Sequence, residues 1–296
     1  MDHLTAKVSC FARAYHTKNH PVPIFADPAA EQLLGEDYSR IAESMTQGIG
    51  FFLPDFHGGA EEGLRLIVDR QLSPSVLGRS AYCERMLENE TRLGCRQYVI
   101  FASGFDTYSI RCQDPTLAVF ELDLPEVLDE KKKRMEKTGL TASAVFVPCD
   151  LAKPDWRDKL IASGFQPRQK SFASLLGISY YLEKEAFQSL LKTLGEILCD
   201  GSALCFDYPL AEDSLETRTH QALAQGAGEP MKARYTEREM EALLAARGFL
   251  VYEHLDHRDM TRQYFSEHNE ACPAYRMEAP EGVGYALAVR KAQISL

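Results

Sequence analysis

The sequence predicts an α/β protein with a Rossmann-like core, in which a seven-stranded, mostly parallel sheet has helices on both faces and an N-terminal helical cap. Two observations support this fold. Short runs rich in β-branched and aromatic residues recur along the chain, and segments with helical periodicity separate the first five runs. Apolar strands that alternate with helices are typical of a parallel sheet covered on both faces. A chain of 296 residues, 45% of them hydrophobic, is long enough to bury such a core.

The runs with the composition of strands are 97–102, 118–123, 144–150, 171–176, 203–208, 249–255 and 285–291. The last two are joined by a long segment, 256–284, in which no crossover helix is evident. Because strands without a crossover helix pair antiparallel, we expect these two to form an antiparallel pair at one edge of the sheet.

Helix signals agree with the strand pattern. In 184–198, apolar residues recur at i, i+3 and i+4 spacing, and Asp200-Gly201 follows the last of them. Thr236 and Glu239 have the spacing of a capping box ahead of another apolar pattern, which Gly248 closes.

The beginning of the chain differs from the rest. Residues 1–75 combine helical patterns with a Gly/Pro-rich stretch at 47–59, and we interpret them as a helical cap over the carboxyl ends of the strands. The core would then span 76–296. Residues 209–235, between a strand and a helix, are a candidate second lid, because long insertions of this kind are usually functional or disordered.

Charge and cysteine usage exclude several classes of protein. The 43 acidic residues outnumber the 33 basic ones, which argues against binding of nucleic acid. The eight cysteines include no C-x-x-C pair and no zinc spacing, so we expect reduced thiols and no metal centre. No signal-peptide core and no membrane-length apolar run is evident. We therefore expect a cytoplasmic protein without membrane or nucleic-acid partners; homo-oligomerisation stays open.

The first predicted strand runs into a loop with a single glycine, Ser103-Gly104-Phe105-Asp106-Thr107. In an open parallel sheet, ligands bind outside the carboxyl ends of the strands, and a glycine lets the backbone approach them closely. The G-x-G-x-x-G pattern, which binds a pyrophosphate against a helix N-terminus, is absent. The loop therefore favours a cofactor without a pyrophosphate over NAD.

Two further strands end in carboxylates. Asp123, in Glu121-Leu122-Asp123, follows the glycine loop by about 20 residues, where a carboxylate can accept hydrogen bonds from ribose hydroxyls. Asp150, in Cys149-Asp150-Leu151, could accept from an adenine amino group while a backbone N–H serves a ring nitrogen. The alternative for both aspartates is a structural role as a helix cap or turn residue.

Three blocks of sequence resemble the leucine carboxyl methyltransferase-like family of class I S-adenosylmethionine-dependent methyltransferases. They are YVIFASGFDTYSIR (98–111), VFELDLPEVLDEKKKRM (119–135) and VPCDLAKPDWRDKLIASGF (147–165). The resemblance is strongest over 79–208, and the early segment ARAYH…PIFADPAAEQLLG also looks like the family's opening. The family includes protein phosphatase carboxyl methyltransferases and many bacterial O-methyltransferases.

This resemblance implies S-adenosylmethionine as the cofactor and assigns roles to matching positions. Arg79 would pair with the methionine carboxylate, Gly104 would contact the cofactor through its backbone, and Asp123 would bind the ribose with Glu121 as a supporting neighbour. Asp150 and Leu151 would hold the adenine. The complete expected cofactor site is Arg79, Ala102, Ser103, Gly104, Asp106, Glu121, Asp123, Asp150 and Leu151.

One position departs from the family pattern. Relatives usually carry a glutamate after the fourth strand, where this chain has Leu176. The loss leaves the amino group of the cofactor to backbone carbonyls, and it weakens any transfer of the family's substrate chemistry to this chain.

The function these observations favour is O-methylation of a small-molecule or carboxylate acceptor by direct in-line transfer. An ionised carboxylate needs no catalytic base, whereas a phenol would benefit from one. No motif identifies a catalytic residue. Tyr180, Tyr181 and Tyr208 are candidate substrate contacts, with aromatic packing as the alternative, and His220 is a further candidate base. Two other functions stay open: a non-catalytic cofactor-binding protein, suggested by Leu176, and a nucleotide-dependent oxidoreductase, disfavoured by the single-glycine loop.

Overall fold

A computed structural model describes residues 4–211 and 231–292. Most of the predicted lid at 209–235, including His220, therefore lies outside the described residues. Within the described ranges, no helix combines the length and the apolar character that a bilayer span requires.

Seven strands form one sheet with the order β3-β2-β1-β4-β5-β7-β6. Their bounds are β1 Gln97–Phe101, β2 Ala118–Asp123, β3 Ala144–Pro148, β4 Ser171–Leu175, β5 Ala203–Pro209, β6 Phe249–Leu255 and β7 Val283–Arg290. Strands β1 to β5 pair parallel, and β7 pairs antiparallel with both β5 and β6. The predicted seven-stranded, mostly parallel sheet is confirmed, as is the antiparallel pair of last strands at one edge.

Helices precede the first strand and separate the others. Before β1 the chain forms α1 Leu4–Asn19, α2 Ala30–Leu34, α3 Glu36–Gln47, α4 Ile49–Phe52, α5 Ala60–Ile67 and α6 Ser73–Arg92. After β1 it forms α7 Tyr108–Arg111, α8 Pro125–Thr138, α9 Trp156–Ala162, α10 Lys184–Ile197, α11 Glu237–Ala246, α12 His257–Met260 and α13 Ser266–Ala271. The capping box of α11 is present: Glu239 N–H donates to Thr236 Oγ1 at 3.1 Å, and Thr236 N–H donates to Glu239 Oε2 at 2.8 Å.

The connection between β6 and β7 is helical, which the sequence did not indicate. Helices α12 and α13 are joined by a π-helical turn at Thr261–Phe265. A π turn shifts the helical register, so the apolar residues of this segment do not keep one period of 3.6 over a recognisable length.

The sheet has a buried layer on each face. Val99 and Phe101 face the cluster that packs under α9, α10 and α11, whereas Tyr98 and Ile100 face the cluster under α6. This alternation follows from the two-residue period of a strand. Every residue of β1 is buried, as expected for a central parallel strand.

The helices before β1 have a hydrophobic cluster of their own. Phe11, Leu33 and Ile67 belong to it, together with Phe105 from the loop after β1 and Met135 from α8. The cap therefore packs on the carboxyl side of the sheet. The division of the chain into 1–75 and 76–296 stays a prediction; residue 75 lies inside α6.

Candidate active site

A cavity of about 1330 Å³ opens at the carboxyl ends of β1, β2 and β4. Residues that follow these strands form its floor, and residues of α1, α3, α4 and α6 form its roof. This is the edge where open parallel sheets bind their ligands. A second, more open depression of about 1060 Å³ lies at the opposite edge, where Asp200 precedes β5, and contains none of the predicted site residues.

The structure brings most of the predicted residues to this cavity. Those that line it are Arg79, Ala102, Ser103, Gly104, Asp106, Asp123, Tyr180 and Tyr181. Those that do not are Glu121, Asp150, Leu151 and Tyr208.

The loop after β1 turns sharply because two of its residues adopt left-handed backbone conformations. Ala102 has φ 49° and Gly104 has φ 50°. A side chain at residue 104 would also be crowded, since its Cβ would lie 3.1 Å from Ala6 Cβ of α1. The left-handed conformation costs a non-glycine residue about 1–2 kcal/mol, so Ala102 is strained at the cavity floor. Ser103 Oγ, next to it, is buried without a hydrogen-bond partner among the described residues.

Asp123 joins this loop to the end of β2. Its Oδ2 accepts the Gly104 N–H at 2.7 Å, and its Oδ1 accepts the Leu124 N–H at 2.7 Å. The N-cap of α8 is Leu124 and not Asp123. The capping alternative therefore does not describe Asp123, whose carboxylate is held at the cavity floor by two backbone amides.

Glu121 has a different role from the one expected of a neighbour of Asp123. It is fully buried, pairs with the Lys131 ammonium and accepts a hydrogen bond from Ser109 Oγ at 2.5 Å. Lys131 also donates to the backbone carbonyl of Asp106 at 2.5 Å. Glu121 thus belongs to a buried network beneath the loop and does not contact the cavity.

Asp150 lies beside Asp123 but outside the cavity. The two strand ends are adjacent, since the Cys149 N–H donates to the Asp123 carbonyl at 2.8 Å. Asp150 Oδ1 accepts the Ala152 N–H at 3.0 Å, and Oδ2 lies 3.5 Å from Lys153 Nζ. This is the turn geometry that the sequence left open as the alternative.

Arg79 reaches the cavity from α6 and lies against Gly177, which follows β4. A Cβ at residue 177 would lie 2.8 Å from Arg79 Nη1, and Gly177 has φ 66°. Arg79 Nη1 is 3.5 Å from Oδ2 of Asp207. Asp207 is fully buried on β5 and was not predicted, although an aspartate in the apolar run ALCFDY is a usable signal: a buried charge requires partners.

The three candidate tyrosines divide into two groups. Tyr180 and Tyr181 line the cavity, and burial followed by the neighbouring Asp207 carboxylate raises the pKa of Tyr180 well above its usual value. Tyr180 therefore stays a hydrogen-bond donor at neutral pH. Tyr208 is packed in the core, where its hydroxyl lies 2.8 Å from His254 Nε2.

A buried ionic network that sequence reasoning missed ties the cap to the loop. Arg13 of α1 pairs with Asp27 at 2.8 Å and donates to the Phe105 carbonyl at 2.7 Å. Thr107 Oγ1 donates to Asp27 at 2.6 Å. Burial opposes ionisation of Asp27, but Arg13 and Arg111 lower its pKa below the usual value. These contacts join the ARAYH and PIFADP segments to the loop at 103–107.

The roof of the cavity combines apolar side chains with polar and charged ones. Its apolar lining from the cap and from the loops beside it comprises Leu4, Val8, Ile41, Met45, Phe51, Phe52, Leu72, Val76, Leu176, Ile178 and Met231. Short polar side chains, such as Ser9 and Ser44, and charged side chains, such as Lys7 and Arg40, lie among them. No histidine lines the cavity within the described ranges 4–211 and 231–292.

The fold and this geometry agree with similarities to known proteins. The sequence profile of the leucine carboxyl methyltransferase family matches residues 6–195. The Bacillus subtilis protein "Putative S-adenosyl-L-methionine-dependent methyltransferase YktD" is 36% identical over 97% of this chain and 98% of its own length. A Mycobacteroides abscessus protein with the same name, without the suffix, is 30% identical over 84% of this chain and 76% of its own.

Solved structures agree on the fold. The crystal structure of a putative methyltransferase from Thermobifida fusca superposes with a TM-score of 0.57 at 14% identity, covering 88% of this chain and 93% of that one. A duf574 family protein from Streptomyces avermitilis superposes with a TM-score of 0.55 at 14% identity, covering 83% and 96%. The family match spans more than half of the chain, and the relatives extend over most of the rest. The chain therefore belongs to the leucine carboxyl methyltransferase family.

Proposed function

We propose that this methyltransferase binds S-adenosylmethionine in the cavity and transfers its methyl group to an oxygen of a small-molecule or carboxylate acceptor, by direct in-line displacement. The observation that supports this most is the placement of Asp123 and the Gly104 loop on the floor of one cavity, with Arg79 reaching it from α6.

The residues present fit this cofactor. Asp123 is an oriented carboxylate acceptor suited to ribose hydroxyls, and Arg79 is a guanidinium suited to the methionine carboxylate. The buried Ser103 hydroxyl, which has no partner among the described residues, offers a further hydrogen bond on the cavity floor. Without a second glycine in the loop, the site lacks the backbone turn that a dinucleotide pyrophosphate needs.

The adenine should lie beyond Asp123, against the apolar wall that Leu124 and Val127 form. Asp150 and Leu151, which the sequence placed at the adenine, do not line the cavity and are not part of the proposed site. Ala102, Ser103, Gly104 and Asp106 would contact the cofactor from the loop.

The cofactor supplies an activated methyl group, and the protein supplies alignment and exclusion of water. The apolar side chains of the roof favour an acceptor with an apolar part. Because no histidine lines the described cavity, an acceptor oxygen that is already ionised, such as a carboxylate, suits the site best. Tyr180 and Tyr181 line the cavity and are candidate contacts to that acceptor, although the proton of the Tyr180 hydroxyl is donated to Asp207.

Binding is tested by calorimetric titration with S-adenosylmethionine, S-adenosylhomocysteine and NAD. We expect the first two to bind and NAD not to bind. S-adenosylhomocysteine at about 100 times its dissociation constant should raise the free energy of unfolding by about 2.7 kcal/mol. Stabilisation by NAD alone would overturn the proposal.

Catalysis is tested by release of S-adenosylhomocysteine against matched carboxylates, phenols, alcohols and amines. We expect turnover of carboxylates above the rest. One observation favours a second candidate function: Leu176 occupies the position where relatives usually have a glutamate. Cofactor binding with no turnover of any acceptor class would favour a non-catalytic binding protein.

A further inference from the structure

Asp207 is a buried carboxylate to which the proposed function assigns no role. It lies near the carboxyl end of β5, an interior strand of the sheet, is 0% exposed and does not line the cavity. A charged group in such a position is costly unless its environment supplies hydrogen bonds and an opposite charge. Its partners therefore indicate what it is for.

Two hydrogen-bond donors and one ion-pair partner of the Asp207 carboxylate belong to the cavity wall. Oδ1 accepts the Gly177 N–H at 2.6 Å, and Oδ2 accepts the Tyr180 hydroxyl at 3.0 Å. Oδ2 also lies 3.5 Å from Arg79 Nη1. The backbone carbonyl of Asp207 accepts a hydrogen bond from Ser179 Oγ at 2.8 Å, so hydrogen bonds to Asp207 hold several residues of the turn after β4.

A carboxylate can accept from all three partners because it carries no donor of its own. An asparagine could accept from Gly177, but its amide N–H groups would then face the Arg79 guanidinium, which can only donate. The negative charge is specifically matched to Arg79, because the other two partners are neutral.

The contact also determines how Arg79 is presented. Gly177 leaves no room for a side chain beside the guanidinium, and Asp207 holds Nη1 from beneath the turn. Nη2 lies 3.5 Å from Ser9 Oγ of α1. The guanidinium is thus oriented by the core on one side and by the cap on the other.

We propose that Asp207 is a positioning residue that orients Arg79 and the turn at 176–180 for cofactor binding. It supplies a carboxylate on β5 next to the turn that follows β4. This inference rests on the proposed function, because the role of Arg79 in holding the cofactor is part of that proposal.

The test is a double-mutant cycle of Asp207→Asn and Arg79→Gln, with the dissociation constant of S-adenosylhomocysteine as the readout. We expect each single variant to bind S-adenosylhomocysteine about tenfold more weakly. Interaction energies between residues in direct contact are of this size. The double variant should bind no more weakly than Arg79→Gln alone, within about twofold. Additive losses would show that Asp207 does not act through Arg79 and would overturn the inference.

Glu90→Gln is the matched control. Glu90 is another buried carboxylate, it lies on the same helix as Arg79, and it pairs with Lys170 at 2.8 Å, away from the cavity. We expect this variant to leave the dissociation constant unchanged within about twofold and to be additive with Arg79→Gln. A general effect of removing buried charge would instead weaken binding in both cases.

If Asp207→Asn does not fold, the cycle is repeated with Tyr180→Phe and Arg79→Gln. The Tyr180 hydroxyl and Arg79 meet at the same Asp207 oxygen, so we expect the effect of Tyr180→Phe on the dissociation constant to differ between the two Arg79 backgrounds. Equal effects would overturn the inference. Failure of the unmodified protein to bind S-adenosylhomocysteine would instead contradict the proposed function, which separates the two outcomes.

Discussion

The floor and the roof of the cavity are built in different ways. The floor consists of short segments directly after β1, β2 and β4, and hydrogen bonds such as that from Gly104 N–H to Asp123 hold them. The roof consists of helix faces from the cap, which contact one another through apolar side chains. Sheet geometry determines where the floor residues lie, whereas packing and ion pairs between distant segments, such as Arg13–Asp27, position the roof. We therefore expect cofactor binding to depend on the floor and acceptor choice to depend on the roof.

The largest expected effect concerns Glu121, whose substitution should lower stability without changing cofactor binding. Glu121→Gln removes the partner of the fully buried Lys131, and loss of one member of a buried ion pair costs about 3–5 kcal/mol. We expect the free energy of unfolding to fall by this amount in chemical denaturation, while the folded variant keeps its affinity for S-adenosylhomocysteine. Glu126→Gln, at an exposed position on α8, is the control and should change neither quantity. Weaker cofactor binding at unchanged stability would mean that Glu121 belongs to the site after all.

The next largest expected effect is a loss of stability at acid pH that originates in the cap. His16 of α1 is fully buried, and burial, with repulsion from His20 and His268, lowers its pKa to about 2. The unfolded chain binds this proton below about pH 6.5, and the folded protein does not. Stability is thus complete above pH 6.5 and falls by about 1.4 kcal/mol per pH unit below it, or about 2 kcal/mol by pH 5.

Urea denaturation between pH 7.5 and 5 measures this slope, at pH values above the range where carboxylates with lowered pKa titrate. His16→Gln should remove most of it, and His57→Gln, at an exposed position of the cap, should leave it in place. An unchanged slope in His16→Gln would show that other groups cause the acid sensitivity.

The smallest expected effect concerns the roof. Phe51 lines the cavity but is 77% exposed, so Phe51→Ala should change the free energy of unfolding by less than about 0.5 kcal/mol. Lost apolar contact should raise the KM for the acceptor, with a free energy of about 1 kcal/mol, and leave the affinity for S-adenosylhomocysteine unchanged. Leu93→Ala, 68% exposed and away from the cavity, is the matched control. A change in cofactor affinity without a change in acceptor KM would contradict the expectation that the floor binds the cofactor and the roof selects the acceptor.

The difference between floor and roof also explains which features the sequence could predict. The Gly104 loop and Asp123 were predicted because strand ends of a parallel sheet meet at one edge, which local patterns suffice to locate. Asp150 was expected in the same site, but β3 ends at Pro148, and the aspartate falls in the turn that follows. A strand end predicted two residues too late is enough to misplace a side chain.

The contacts that were missed join distant parts of the chain. Arg13 and the Phe105 carbonyl are 92 residues apart, and Asp27 and Thr107 are 80 apart. Tyr208 was placed in the site because it ends a strand, yet its neighbour Asp207 is the residue that contacts the cavity wall. No periodicity in a single sequence reports such tertiary contacts, although the buried charge in an apolar strand was visible.

The most direct test compares two aspartates at adjacent strand ends, Asp123 and Asp150. Calorimetric titration with S-adenosylhomocysteine should show that Asp123→Ala raises the dissociation constant about tenfold to a hundredfold, since a hydrogen bond to a charged group contributes about 1.5–3 kcal/mol. Asp150→Ala should raise it less than about threefold, because its carboxylate faces the turn at Ala152 and not the cavity. An equal loss in both variants, or a greater loss in Asp150→Ala, would contradict a cofactor site built on the Gly104 loop and Asp123.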